Sequence, residues 1–250
     1  MNNLPAGSGF FARLKQSEAP PPWSMASAIV TVFAAFIAFT TGGIAALTWI
    51  GDQPIAAIVG WCLGALATIL IVLQSRRQPD HRAALRLGGA HSPILFILFV
   101  GIGLAVAVDL LSAAVTGAFL IAPELLNVSA AASGVGAWLV ALLFMAVLQP
   151  IAEELVFRGM LFPQVRLLVG PWGGLLITAL LYALFHALIY PPAYAGVGDF
   201  ATFWYAFAVP LLHGLILSGT RARTGSTRAA IGMHAAFGLF ALLKLALLIG

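Results

Sequence analysis

The sequence has 250 residues, 62% of them hydrophobic and only 8% charged, with a mean hydropathy of +1.04. Soluble domains are about half apolar and about one quarter charged, so this chain cannot cover a globular surface, which excludes soluble-enzyme and disordered classes. The net charge of +4 comes from 12 basic and 8 acidic residues; the basic ones lie mostly between apolar runs, as orientation signals and not as a nucleic-acid surface.

Residues 1–22 are polar and Pro-rich, with Arg13 and Lys15, and read as a disordered tail. Apolar runs then follow at roughly 24–50, 55–74 and 94–117. Between the second and third, Ser75 to Arg86 form the most basic stretch of the chain. A mildly polar segment, 118–134, holds Glu124 and Asn127. The fourth run starts near Gly136, passes Gln149-Pro150 and continues to about Leu168, where Gly170-Pro171 breaks it. Further runs cover about 172–190, 201–219 and 229–249, with a basic loop at Arg221 to Arg228. The pattern predicts an all-α, polytopic transmembrane helical bundle of about seven spans, six to eight by length. The runs lack the alternation of a membrane barrel. The single cysteine, Cys62, makes no internal disulfide.

Arg and Lys alternate between successive loops, which places the N-terminus in the cytosol and makes this a multi-pass protein, of the cytoplasmic membrane if bacterial. Lys244, near the outer end of the last span, can snorkel. Three segments are distinguished: the tail 1–22, helices 23–134, and 135–250 with the polar intramembrane residues.

Charge inside a span is costly, so each case is a functional candidate. Glu153 and Glu154 are adjacent carboxylates in an apolar run and point about 100° apart on a helix. Glu154 and Arg158 stand at i,i+4 in the favourable order for an ion pair. Glu153 has no cation on its own helix and is the candidate reactive carboxylate. The plainer reading, a cytosolic helix end with ordinary charges, is weakened by the apolar flanks on both sides. His186 alone would be an ordinary hydrogen-bonded core residue. With Gly170-Pro171 as a hairpin turn, however, Glu153 lies 17 residues before Gly170 and His186 lies 16 after it. At 1.5 Å per residue both are about 25 Å from the turn. His234, early in the last span, is the third candidate, at a shallower depth by the same arithmetic. Asp109 and His213 are expected to make interhelical hydrogen bonds, and His81 and His91 to be solvated. A buried glutamate with two imidazoles can activate water as a general base with helpers, or hold a catalytic zinc with one open position.

Glu153-Glu154-Leu155-Val156-Phe157-Arg158, followed by Gly159, then Tyr182-Ala183-Leu184-Phe185-His186, then His234 after Arg223-Thr224-Gly225-Ser226, form an ordered set. It resembles the CPBP family of intramembrane proteases, also called the CAAX prenyl protease type II, bacteriocin-processing or ABI group. The resemblance covers residues 135–240. It carries E-E-x-x-x-R and F-x-x-x-H, with Tyr182 at the Phe position. The family often has Asn four residues after the late histidine; here that position is Gly238. The resemblance implies an intramembrane endopeptidase acting on a membrane-associated peptide or protein. Glu153, His186 and His234 would be catalytic, and Glu154, Arg158 and Tyr182 supporting. No cofactor is certain; a divalent metal such as zinc would be held by Glu153, His186 and His234.

Other intramembrane protease motifs fail. There is no H-E-x-x-H and no G-x-S-x-G. Gly196-Val197-Gly198-Asp199 matches G-x-G-D, but the preceding span lacks the second Asp of an aspartyl pair. The alternative of another class is a non-catalytic membrane protein: a proton-coupled transporter using Asp109, Glu153 and the histidines, or an inactive relative serving as an immunity or chaperone factor.

Overall fold

The computed structural model describes residues 9–15, 18–88, 93–126, 128, 134–192 and 198–249. No strand occurs among them, and the all-α expectation holds. The helices are α1 (Phe10–Lys15), α2 (Met25–Ile50), α3 (Pro54–Ser75), α4 (Pro79–Ala84) and α5 (Ile94–Thr116). They continue as α6 (Val135–Ile189), α7 (Asp199–Thr224) and α8 (Thr227–Ile249). A 3₁₀ turn, Pro123–Leu125, lies between α5 and α6.

Local chemistry sets the boundaries. Ser24 caps α2, its hydroxyl accepting from the Ser27 amide at 3.2 Å. Pro54 opens α3 at the first-turn position, where its missing N–H costs nothing. Many large side chains face outward, among them Phe33, Trp49, Leu95, Phe99 and Leu247. In a bilayer that is the favourable arrangement, because lipid is the solvent of that surface.

Helix α6 has 55 residues. Straight, it would measure about 80 Å, more than twice the ~30 Å hydrocarbon core. It folds back at Gly170, whose φ of 79° and ψ of 178° only glycine adopts without strain. Pro171 follows and suits the first turn of a new helix. The two arms meet closely: a Cβ on Gly174 would lie 2.8 Å from Arg166 Cα. Among the described residues six helices are long and apolar enough to cross a membrane, and the longest of them, α6, is folded into two arms.

The basic segments gather on one face. The Thr227 amide donates to the Arg86 carbonyl and the Ser226 hydroxyl to the Gly88 carbonyl, at 3.0 and 3.1 Å. Arg76 lies over the Trp23 ring, whose Nε1 donates to the Met160 carbonyl at 3.2 Å. Tail, α3–α4 loop, α6 turn and α7–α8 loop therefore share a side, as their charges predict. His81, expected in solvent, is half-buried edge-on against Trp23. His91 and Asn127 lie outside the described residues, as do Gly196 and Val197 of the G-x-G-D match.

The described residues of the tail, 9–15 and 18–22, depart from its reading as disordered. Leu14 of α1 is buried with Phe162, Leu175 and Ala222. Glu18 accepts from Arg221 at 2.8 Å through both carboxylate oxygens and from Arg166 at 3.2 Å. Burial pushes the Glu18 carboxyl up, but Arg221 and then Arg166 overcome this and hold it below the usual carboxylate range. A Pro-rich composition gives little sign of such docking, which depends on two cations far along the chain.

Candidate active site

The first arm of α6 brings the acidic pair into the bundle. Glu154 Oε1 and Arg158 Nη1 are 3.0 Å apart, both fully buried. A seven-residue stretch of wide π-type turns, Leu155–Leu161, follows Glu154 directly and contains Arg158, a geometry that recurs at functional sites. The guanidinium also donates through Nη2 to the Gly214 carbonyl of α7 at 2.9 Å and sits 4.4 Å from the centre of the Tyr182 ring. His234 Nδ1 lies 3.0 Å from Glu154 Oε1. Glu154 and Arg158 thereby join both arms of α6 to α7 and α8. Satisfying a buried charge by several partners is what its desolvation demands.

Glu153 points to a different set of groups. Its Oε2 is 2.9 Å from His186 Nε2 and 3.9 Å from His234 Nε2. Its Oε1 accepts from the Tyr190 hydroxyl at 2.8 Å. His186 Nδ1 faces Glu124 Oε1 at 3.4 Å, so both ring nitrogens look at carboxylates. The Tyr182 hydroxyl lies 3.5 Å from His234 Nε2. All six residues singled out from the sequence come together: Glu153, His186 and His234, with Glu154, Arg158 and Tyr182 around them. The hairpin is the cause, since it sets residues 33 apart in sequence side by side.

Two neighbours were not singled out. Tyr190 is four residues after His186, as His186 is four after Tyr182, so the three share one helix face; that spacing was a usable signal. Glu124 comes from the 3₁₀ turn outside the family motifs. Its only signal was a carboxylate in a mildly polar connection, and nothing in the sequence shows that this connection dips back to His186.

The remaining polar residues divide. Asp109 makes an interhelical ion pair with Lys244, in line with a packing role. Besides Asp109, the Lys244 ammonium donates to the Leu120 carbonyl at 2.7 Å. His213 stacks on Phe237, ring centres 4.4 Å apart, where interhelical hydrogen bonding was expected.

The metal question is one of donor placement. One carboxylate and two imidazoles are suitable zinc ligands by type. Among the described residues, however, no group of three is arranged to hold a metal ion. Glu153 Oε2 and His186 Nε2 contact each other directly at 2.9 Å. The side chains as placed do not fit a metal.

Gly238 fits the helix packing tightly. A Cβ there would lie 2.1 Å from the Met145 carbonyl oxygen, in the wide turn Phe144–Leu148 of α6. The family's asparagine has no room at this position unless α8 and α6 move apart.

Fold and site together define a polytopic helical membrane protein with a buried carboxylate–imidazole cluster. Residues 135–240 match the family described as Type II CAAX prenyl endopeptidase Rce1-like. That match is consistent with the CPBP resemblance carried by the motifs. No match was found among curated proteins or among solved structures.

Proposed function

We propose that the protein is an intramembrane endopeptidase that hydrolyses a peptide bond of a membrane-associated substrate with a glutamate-activated water. The observation that carries this is the contact of Glu153 with His186 at 2.9 Å and with His234 at 3.9 Å, all three buried within the helical bundle. Glu153 takes a proton from water, and the resulting hydroxide attacks the peptide carbonyl carbon. The carbonyl C–N bond then breaks, and Glu153 returns the proton to the leaving amine, so atoms and charge balance. Tyr190 fixes one oxygen of Glu153, leaving Oε2 toward the imidazoles. His186 orients the water and is itself held by Glu124. His234, with Nδ1 on Glu154, presents Nε2 beside the Tyr182 hydroxyl; the Tyr182 O–H is a donor available to a developing oxyanion. The basic face is cytosolic by the positive-inside rule.

A second reading, a relative that has lost catalysis and acts by binding, is favoured by Gly238, where a side-chain donor cannot be housed. One experiment separates the two. Membrane-peptide profiles of cells carrying the protein or its Glu153→Gln variant are compared at equal abundance and equal melting temperature. Hydrolysis predicts products that fall by about 10²–10⁴-fold in the variant. Unchanged product levels leave the binding reading.

A further inference from the structure

A cavity of about 90 Å³ reaches the site. Its inner end is formed by His186, Glu124 and Tyr190; its other end is formed by Asp109, Lys244 and Leu120. Those last three lie far from the basic loops. Asp109 is in the late part of α5, Lys244 is near the end of α8, and Leu120 follows α5. Toward the basic face the site is sealed. Glu154, Arg158 and Thr227 are fully buried, and a Cβ on Gly159 would already touch Leu85 at 3.3 Å and Thr227 at 3.8 Å.

We propose that water and substrate reach the site through this cavity, from the face opposite the basic loops, so that the scissile peptide bond lies in that half of the bilayer. The substrate class is then a peptide segment embedded in, or emerging from, the non-cytosolic half, in place of a chain end presented from the cytosol. A volume of about 90 Å³, lined by carboxylate, imidazole and hydroxyl groups, is roomy and polar enough to admit water. A peptide needs it wider. The helices flanking it allow this: α5 and α7 both pack on α8 and touch each other little. They can separate while α8 keeps its contacts, and the Asp109–Lys244 pair ties α5 to α8 at the outer end. The substrate half of this proposal rests on the hydrolase reading; the access route does not.

The test is thiol labelling in sealed membrane vesicles of both orientations, using a charged, membrane-impermeant methanethiosulfonate. In a Cys62→Ala background, three single cysteines are compared: Leu120→Cys at the outer end, Ala241→Cys one turn deeper in the lining, and Arg223→Cys in the basic loop. The expected result is that Leu120→Cys and Ala241→Cys react from the side opposite to Arg223→Cys, Ala241→Cys more slowly. Reaction of Ala241→Cys from the Arg223 side overturns the proposal. So does an Ala241→Cys that reacts from neither side while Leu120→Cys reacts, since the cavity is then closed to solutes. Melting temperatures confirm that each variant is folded. Labelling requires no cleavage, so an inactive protein that labels as expected loses the hydrolase reading and keeps the route.

Discussion

The α2–α3 hairpin and the α6–α8 cluster solve the same problem by different means. Lipid offers no hydrophobic drive for one apolar helix to leave it for another, so association must come from close packing or from polar contacts. The first hairpin uses packing. Gly42, Gly60 and Gly64 let the two backbones meet so tightly that a Cβ on Gly60 would sit 2.6 Å from Gly43 Cα. The second region uses polar contacts among Glu154, Arg158, His234 and the Gly214 carbonyl. A glycine contact can only hold helices together. A buried polar network also aims functional groups, and Glu153 stands one residue from it. Stability in the first region and chemistry in the second follow from what each interface is made of.

Removing one partner from the polar network should have the largest effect on stability. Arg158→Met leaves Glu154 buried without its cation, a loss of about 3–5 kcal/mol, read as a fall in the melting temperature in detergent. The double variant Glu154→Gln/Arg158→Met should recover part of that loss, because the uncompensated charge is gone. An Arg158→Met protein that melts like the wild type would show that the guanidinium is solvated and that the contrast between the regions fails.

The matching change in the first region is Gly60→Val. Its side chain meets the α2 backbone at Gly42 and Gly43, and a backbone cannot rotate away as a side chain can. Overpacking of this kind costs about 1–3 kcal/mol, and the α2–α3 hairpin should loosen while the α6–α8 site survives. Hydrogen exchange of the two regions measures both at once. Loss of protection around His186 in step with α2 and α3 would mean that the regions melt as one unit.

Much of this contrast was legible in the residues. A span-length apolar run identifies itself, because lipid tolerates little else, and charges inside such runs stand out for the same reason. The i,i+4 order of Glu154 and Arg158 predicted their pairing, and Gly170-Pro171 predicted the turn that brings His186 to Glu153. The depth arithmetic placed His234 too shallow, since it measured from the α6 turn as though that turn and the α7–α8 loop were level. In fact Thr227 packs near Gly159, well before Gly170 in the chain. Glu124 was hidden because a polar connection carries no periodicity to say where it goes. Tail docking was hidden because its partners, Arg166 and Arg221, are 148 and 203 residues from Glu18.

That tail also provides the smallest test, in a third kind of contact. Glu18 is part-exposed, with 20% of its side chain accessible, so its pairs contribute about 1 kcal/mol or less. Glu18→Gln should raise hydrogen exchange across residues 9–15 only slightly at neutral pH and leave the melting temperature of the bundle unchanged. The pH dependence has a definite sign. Arg221 and Arg166 hold the carboxyl below its ordinary value of 4.5, so the folded protein binds that proton less readily than the unfolded chain. The contribution of the pair is full above about 4.5 and is lost as pH falls through the lower folded value. Exchange in the tail, corrected for its intrinsic pH dependence, should be flat from pH 8 to about pH 5 and rise only in stronger acid. A rise already between pH 7 and pH 5 would implicate a histidine instead; the nearest contacts of Glu18 are arginines. Salt should weaken this contact more than the buried Glu154–Arg158 pair, because screening acts on charges that water reaches. The three interfaces can therefore be told apart by what disrupts each: added volume for the glycine hairpin, an unpaired charge for the buried network, and acid or salt for the tail.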